Sequence, residues 1–267
     1  RTSTGPAFGA GAPAGVAPVE IRLFGAFAMS VGGRPIDVAR LKPRPRAVLR
    51  FLALHAGQPV HREVLQETFW PEADGETSAR NLHVALSAIR RELAPGADRG
   101  ACDLLVRDGD AYRLALPDRA RVDLARFDDA VAAARRARAR GTNGAAGDAC
   151  RAVLAAYAGD LLPEDGPAEW VAARRDRARA EVVEAAGGLA EVLLQHDPAG
   201  AAEACAAGLA VDPYHDPLWR LMVIARERAG DQAAAASARS GYARMLVELG
   251  VEPTGADPQA FDVGARE

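Results

Sequence analysis

The chain has 267 residues, 49% of them hydrophobic and 26% charged. That is ordinary globular composition over a length that suits about two domains. A net charge of −3 excludes a uniformly basic coat, so a nucleic-acid partner requires one locally basic face. The three cysteines, Cys102, Cys150 and Cys205, stand far apart with no CxxC or Cys/His ligand spacing. They argue against a disulfide framework or a zinc site and fit a reducing cytosol.

Lys42 is the only lysine, and alanine and glycine are abundant, as in proteins from GC-rich bacterial genomes. Arginine on a helix is therefore weak evidence of function in this chain. No apolar run is long enough for a membrane span, and no charged-then-apolar leader opens the sequence. The first residue is Arg1 rather than Met, as in a fragment.

Residues 1–18 are rich in Gly, Ala and Pro without periodicity and read as a disordered linker. The Gly9-x-Gly11 spacing lacks the preceding strand and the Gly-Lys pair of a phosphate loop. Residues 20–31 alternate, with Ile21, Leu23, Phe27 and Met29 on one side, and predict one strand. Gly32-Gly33 then turns the chain and Pro35–Val38 returns.

A helix is expected over Pro45–His55, with Pro45 in its first turn, Val48, Leu49, Phe51 and Leu52 as its apolar face, and Gly57 as its stop. A second is expected over Glu63–Trp70 with Val64, Leu65 and Phe69 inward, ending at Pro71. After the polar loop Pro71–Thr77, a third runs over Ser78–Leu93 with Ser78 or Thr77 as its N-cap. Residues 95–103 then lead to a ribbon over Leu104–Leu114 with an Asp-Gly turn. Small sheet, three helices and terminal hairpin describe a winged helix over residues 19–118.

From residue 119 to 254 the pattern is helical. Helices are expected at Asp123–Arg140, Gly147–Ala158, Pro167–His196, Ala199–Ala210, Pro217–Ala229 and Asp231–Leu249. The helices starting near Ala199 and Asp231 lie about one tetratricopeptide period apart. Residues 255–267 read as a tail. The fold class is thus mainly α: an N-terminal winged helix followed by an all-α, tetratricopeptide-like domain.

The chemistry sits on the third helix. At about 100° per residue, Leu82, Ala85, Leu86, Ile89 and Leu93 form one face and must turn inward. Arg80, Val84, Ser87 and Arg91 lie opposite, with Asn81, His83 and Arg90 on the flanks. Such a helix suits the major groove of double-stranded promoter DNA. Arg bridges guanine O6 and N7, Asn pairs with adenine, and Val84 meets a thymine methyl. Arg80, Asn81, Val84 and Ser87 are the expected base readers, and Arg91 a backbone contact. His83 suits a base, a phosphate or a partly exposed filler position.

Two further clusters support this. Lys42, Arg44 and Arg46 precede or open the first helix, where a helix N-terminus also favours phosphate. Arg107 and Arg113 lie on the ribbon, placed to straddle the adjacent DNA backbone. His55, His61, His196 and His215 form no metal-ligand set, and no cofactor motif occurs. Trp70, Trp170 and Trp219 read as core anchors. Asp212, His215 and Asp216 crowd one loop, where they read as turn and capping residues.

The ordered series of motifs resembles the Streptomyces antibiotic regulatory protein family. These are IRLFG (Ile21–Gly25), RPRAVLRFLALHAG (Arg44–Gly57), REVLQETFWP (Arg62–Pro71), ARNLHVALSAIRREL (Ala79–Leu93) and AYRL (Ala111–Leu114). In the second half they are VDLARFDDAV (Val122–Val131), LLPEDGPAEWV (Leu161–Val171), DPYHDPLWRLMVIARERAGDQAAA (Asp212–Ala235) and ELGVEPT (Glu248–Thr254). The resemblance implies an OmpR-like winged helix joined to a bacterial transcriptional activator domain. It implies an activator of a secondary-metabolite (antibiotic) gene cluster that binds direct repeats near the −35 region and contacts RNA polymerase. The loop Pro71–Thr77, acidic through Glu72, Asp74 and Glu76, is the implied polymerase contact. A homo-oligomer on DNA and a cytoplasmic, nucleoid-associated location follow, with no membrane and no catalysis. Ala111 stands where the family usually has Gly before Tyr, which alters the wing tip. Two alternatives stay open: a protein-interaction adaptor with a degenerate winged helix, and a ligand-gated regulator.

Overall fold

The computed structural model describes residues 18–94, 104–116 and 118–251. The linker up to residue 17, the connection at 95–103 with Cys102, and the tail from 255 lie outside the described residues. The chain divides into two compact units, one holding residues 18–21 and 28–121, the other 22–27 and 122–251.

In the first unit, β1 (Val19–Arg22), β2 (Ala28–Val31) and β3 (Arg34–Pro35) form a sheet in that order. Val31 pairs with Arg34, so Gly32-Gly33 is the two-residue turn read from the sequence. The single strand expected over residues 20–31 is broken. Leu23 and Phe24 are adjacent and both buried, which a strand with one wet face does not allow. Residues 22–27 belong instead to the helical unit. The return strand is also shorter than expected. Asp37 accepts from Ala39 N at 3.1 Å and starts a 3₁₀ turn over Val38–Arg40.

Helix α1 spans Pro43–Leu54, two residues longer at its start than expected. Pro43 and Pro45 both fit its first turn because no N–H is needed there. The short strand β4 (Val60–His61) leads into α2 (Arg62–Phe69). Leu65 and Phe69 are inward at i and i+4, whereas Val64 is 45% exposed and not inward as expected.

Helix α3 spans Gly75–Leu93. Its cap is Asp74, not Thr77 or Ser78: the carboxylate accepts from Thr77 N at 2.8 Å and from Thr77 Oγ1 at 2.9 Å. Ser78 is instead buried in the first turns, donating to the Gly75 carbonyl at 3.2 Å. The loop before α3 therefore contracts to Pro71–Asp74, and Glu76 is helical. Leu82, Ala85, Leu86, Ile89 and Leu93 are all buried, as their spacing required. They pack against α1 and α2, where Phe51 meets Phe69 edge-on at 5.6 Å.

Strands β5 (Leu105–Asp108) and β6 (Ala111–Leu114) form the ribbon, with β4 added beside β6. Gly109 has φ +58°, and its turn joins Asp108 directly to its partner Ala111. A side chain there would be strained, so glycine sets this tip.

The second unit stacks α4 (Asp123–Ala139), α5 (Asn143–Ala156), α6 (Glu169–Leu193), α7 (Pro198–Val211), α8 (Asp216–Arg228) and α9 (Gln232–Glu248). Each packs on the next, and α6 also meets α4 and α8, the neighbour-on-neighbour packing of a helical repeat. Gly208 is required where α7 passes α6 and α8. A Cβ there would lie 2.8 Å from Ala186 Cβ and 2.5 Å from Leu218 Cδ1.

Residues 22–27 complete this unit. Asp123, buried at the first turn of α4, accepts from Leu23 N at 2.9 Å, Phe24 N at 3.0 Å and Leu124 N at 2.7 Å. Arg175, also buried, donates to the carbonyls of Leu161, Leu162 and Gly166 at 2.7–2.9 Å. Phe24 packs on Phe127 and Tyr157 at 5.0 and 5.2 Å. Trp70, Trp170 and Trp219 are only half-buried, at the edge of the cores and not within them. No helix among the described residues is long and apolar enough to cross a membrane.

Candidate nucleic-acid interface

The buried stripe of α3 fixes which side chains face out. Arg80, His83, Val84, Ser87 and Arg91 are exposed and Asn81 is half-buried. Val84 is 62% exposed, a large apolar side chain held in water between polar neighbours. Arg80 touches only Thr77 Oγ1, at 3.5 Å, so its guanidinium remains available.

Arg90 differs from these. Its Nη2 donates to the Leu105 carbonyl of β5 at 3.2 Å. Arg46 likewise turns inward, donating to the carbonyls of Ala39 at 3.2 Å and Leu41 at 2.9 Å. Lys42 and Arg44 are exposed at the start of α1. The three residues of that basic cluster thus divide into one backbone brace and two cations without an ion-pair partner among the described residues.

The ribbon register separates its two arginines. Arg107 pairs with Tyr112 and Arg113 with Val106, so they lie on opposite faces. Arg107 folds back on its own turn, its Nε donating to the Gly109 carbonyl at 2.9 Å. The wing tip is itself held: Arg62 N donates to the Asp110 carbonyl at 2.8 Å, and the Arg62 guanidinium pairs with the Asp110 carboxylate at 3.1 Å. Val60 and His61 pair with Tyr112 and Ala111.

The electrostatic state of this surface is its main feature. Among the described residues, Lys42, Arg44, Arg80, Arg91 and Arg113 form no ion pair with a carboxylate. The acidic cap Asp74 is committed to the helix. Its hydrogen bond from Thr77 N, and then that from the Thr77 hydroxyl, holds its carboxyl below the usual value of 3.8.

Sequence reasoning missed Asp74, Arg34, Arg62 and β4. Asp74 had a usable signal, an acidic residue three before Thr77 at a helix start. Arg34 had none. It donates to the carbonyls of Leu93 at 3.0 Å and Glu92 at 3.4 Å, about sixty positions later in the chain. The crowded loop Asp212–Asp216 serves capping and turn chemistry, as expected. Asp212 accepts from Tyr214 N at 3.0 Å, and His215 Nδ1 accepts from Leu218 N at 3.3 Å at the start of α8. No group of three or more His, Cys, Asp or Glu suited to a metal ion occurs among the described residues.

Comparison with known proteins agrees with this geometry. Residues 37–110 match the family described as transcriptional regulatory protein, C terminal. Residues 122–257 match the family described as bacterial transcriptional activator domain. The transcriptional regulatory protein MoaR1 of Mycobacterium tuberculosis is 28% identical over 247 residues, 88% of this chain and 75% of that protein. The regulatory protein DnrI of Streptomyces peucetius is 29% identical over 226 residues, 82% of each chain. The regulatory protein AfsR of Streptomyces coelicolor is 29% identical over 214 residues, of which this chain spans only 21%. Among solved structures, Mycobacterium tuberculosis EmbR in complex with a low-affinity phosphopeptide superposes with TM-score 0.71 at 25% identity. That match covers 92% of this chain and 64% of the solved one. With an OmpR-like winged helix ahead of a bacterial transcriptional activator domain, the chain belongs to the Streptomyces antibiotic regulatory protein family of transcriptional regulators.

Proposed function

We propose that this regulator is a sequence-specific activator that reads promoter DNA with the outer face of α3. The observation that carries this is the unneutralised outer surface of the first unit. Arg80 and Arg91 on α3, Lys42 and Arg44 on α1 and Arg113 on the wing face no carboxylate. Arg80, Asn81, Val84 and Ser87 are the base readers. Lys42, Arg44, Arg91 and Arg113 hold phosphates, and His83 lies beside them. Arg107 has a lesser share, because part of its guanidinium is committed to Gly109.

Family membership supports the finer reading: direct repeats near the −35 region, one copy of the chain per repeat, and recruitment of RNA polymerase at a secondary-metabolite cluster. The polymerase contact falls on the shortened loop Pro71–Asp74 with Glu76 at the head of α3. The chain then works in the cytoplasm, associated with the nucleoid, and performs no catalysis.

The test is a mobility shift on intergenic DNA upstream of the gene and its neighbours. A specific shift is expected at low salt, lost in Arg80→Ala or Ser87→Ala with the fold intact. Absence of specific binding to every genomic fragment overturns the reading. Acidic substitutions aside, transcription assays with Glu72→Ala test polymerase contact separately: DNA binding stays while activation falls.

A second reading, control by a ligand, is favoured by one observation. The helical unit carries an open groove of about 890 Å3 lined mainly by α6 and α8, where Val183, Leu218, Leu221 and Ile224 lie among charged residues such as Glu184 and Arg228. Its size lies in the small-molecule range. A thermal-shift screen with nucleotides and pathway metabolites tests it; no stabilisation by any compound removes it.

A further inference from the structure

The apolar stripe of α3 fixes which face points outward. It controls less well how far the helix slides or tilts, because the stripe repeats every turn. Backbone carbonyls occupy fixed heights along their element; one arginine grips carbonyls at the end of α3, and one from α3 grips a carbonyl of β5. Arg34, next to the Gly32-Gly33 turn, reaches the Leu93 and Glu92 carbonyls at 3.0 and 3.4 Å. Both belong to the last turn, whose carbonyls lack helical partners. Arg90 reaches from the last turn to the Leu105 carbonyl at 3.2 Å. The first bond ties α3 to the N-terminal sheet, the second ties it to the wing.

We propose that Arg34 and Arg90 are positioning residues for DNA reading. They set the axial height of α3 and its spacing from the wing, and neither is a DNA contact. This rests on the reading that α3 carries the base contacts. Nη2 of Arg34 reaches both carbonyls and Nη2 of Arg90 reaches one, on a charged side chain that a lysine replaces with a more flexible stem and no fixed donor plane. A recognition site tolerates only about 0.5 Å of misplacement before its contacts loosen. Arg90 lies among basic neighbours that suggest a phosphate contact, but its bond to Leu105 points it back into the protein.

The experiment uses the full chain and a duplex selected by that chain from a random-sequence pool. Specific and non-specific affinities are measured against salt for Arg34→Ala, Arg90→Ala, Arg34→Lys and Arg90→Lys. A positioning role predicts roughly tenfold weaker specific binding, non-specific binding within about twofold, and an unchanged salt slope, with partial recovery in the Lys variants. Lost phosphate contacts would instead weaken both affinities together and lower the slope by about 0.9 per residue. That result, or unchanged specific binding, overturns the proposal. If an Ala variant melts early, the Lys variant decides by the same readouts.

Asn81→Ala and Ser87→Ala separate the two levels. If they weaken specific binding and the Arg34 and Arg90 variants do not, only the positioning role fails. If the pool yields no selected duplex, or Asn81→Ala and Ser87→Ala bind as before, the reading of α3 fails and the proposal with it.

Discussion

The two units use the same abundant residue to different degrees in ion pairs. In the helical unit, eight arginines pair with acids within the fold, while Arg126, Arg136, Arg140, Arg226, Arg228 and Arg244 form no ion pair among the described residues. Arg135, Arg174 and Arg177 surround the buried Glu181, Arg138 pairs with Glu184 and Glu191, Arg179 with Asp160, and Arg239 with Glu227. On α1, α3 and the wing, exposed Lys42, Arg44, Arg80 and Arg91 and half-buried Arg113 have no such partners among the described residues. Arginine content alone, inflated throughout the chain, does not distinguish a solvated face from a DNA-binding one. Positive charge left uncompensated on the first unit raises the local potential for a polyanion even in a chain whose net charge is −3.

The largest expected effect tests the structural half of this contrast. Asp123 satisfies three backbone N–H groups, and Arg175 three carbonyls, inside the helical unit. Removing either leaves buried polar groups unsatisfied, so Asp123→Ala or Arg175→Ala should destabilise by about 3–5 kcal/mol in urea unfolding. Arg80→Ala, on the exposed face, should change stability by no more than about 0.5 kcal/mol. Equal losses at the two kinds of site would erase the contrast.

Next come the residues proposed as base readers. Arg80→Ala and Asn81→Ala should each weaken specific DNA binding by about 1–3 kcal/mol and relax preference at one position of the site. Binding titrations against single-position DNA variants check this. A uniform loss over all sequences would move these residues to the phosphate class. A smaller effect belongs to Lys42, Arg44 and Arg91. Each Ala variant should lower the salt slope by about 0.9 while leaving base preference intact. Arg138→Ala, a paired arginine of the helical unit, should leave the slope as it is.

What was legible in the sequence follows from the range of the forces. The α3 stripe was readable because five apolar residues at helical spacing admit one inward face, and all five are buried. The helices of the second unit were readable because Pro, Gly and Asp mark their ends within a few residues. The cap of α3 was misplaced because hydroxyl and carboxylate caps compete locally, and Asp74 lies three residues before the first plausible hydroxyl. The assignment of Leu23 and Phe24 to the helical unit was not legible. It depends on Asp123, a hundred positions away, and on carbonyls near Leu161. Arg34 and Arg90 were opaque for the same reason: their partners are backbone atoms, which carry no residue-specific signal. The local pattern thus gave the outward face of α3, while long-range hydrogen bonds determine how it is held.

The smallest effects concern pH: an acid limb in both units and an alkaline limb expected of the helical one. Asp160 is held below its usual 3.8 by the Arg179 hydrogen bond, despite opposing desolvation, and Asp74 by Thr77. A carboxyl depressed on folding adds stability above its unfolded value and loses it as pH falls through the folded one. Both units should therefore weaken below about pH 3.8, and Asp160→Asn should flatten that limb in the helical unit alone. Tyr157 behaves in the opposite sense. Burial, then the hydrogen bond to Asp160, pushes its phenol up to about 12 from an ordinary 10. A raised acid gives stability that is full below the unfolded value and disappears as pH climbs through the folded one. The helical unit should thus lose stability between pH 10 and about 12. Tyr157→Phe removes one raised group and should reduce that alkaline limb in urea midpoints without abolishing it, because Tyr242, Cys150 and Cys205 are also pushed up, each chiefly by burial. An alkaline limb unchanged by the substitution would mean that the Tyr157–Asp160–Arg179 cluster does not couple protonation to the packing of this unit.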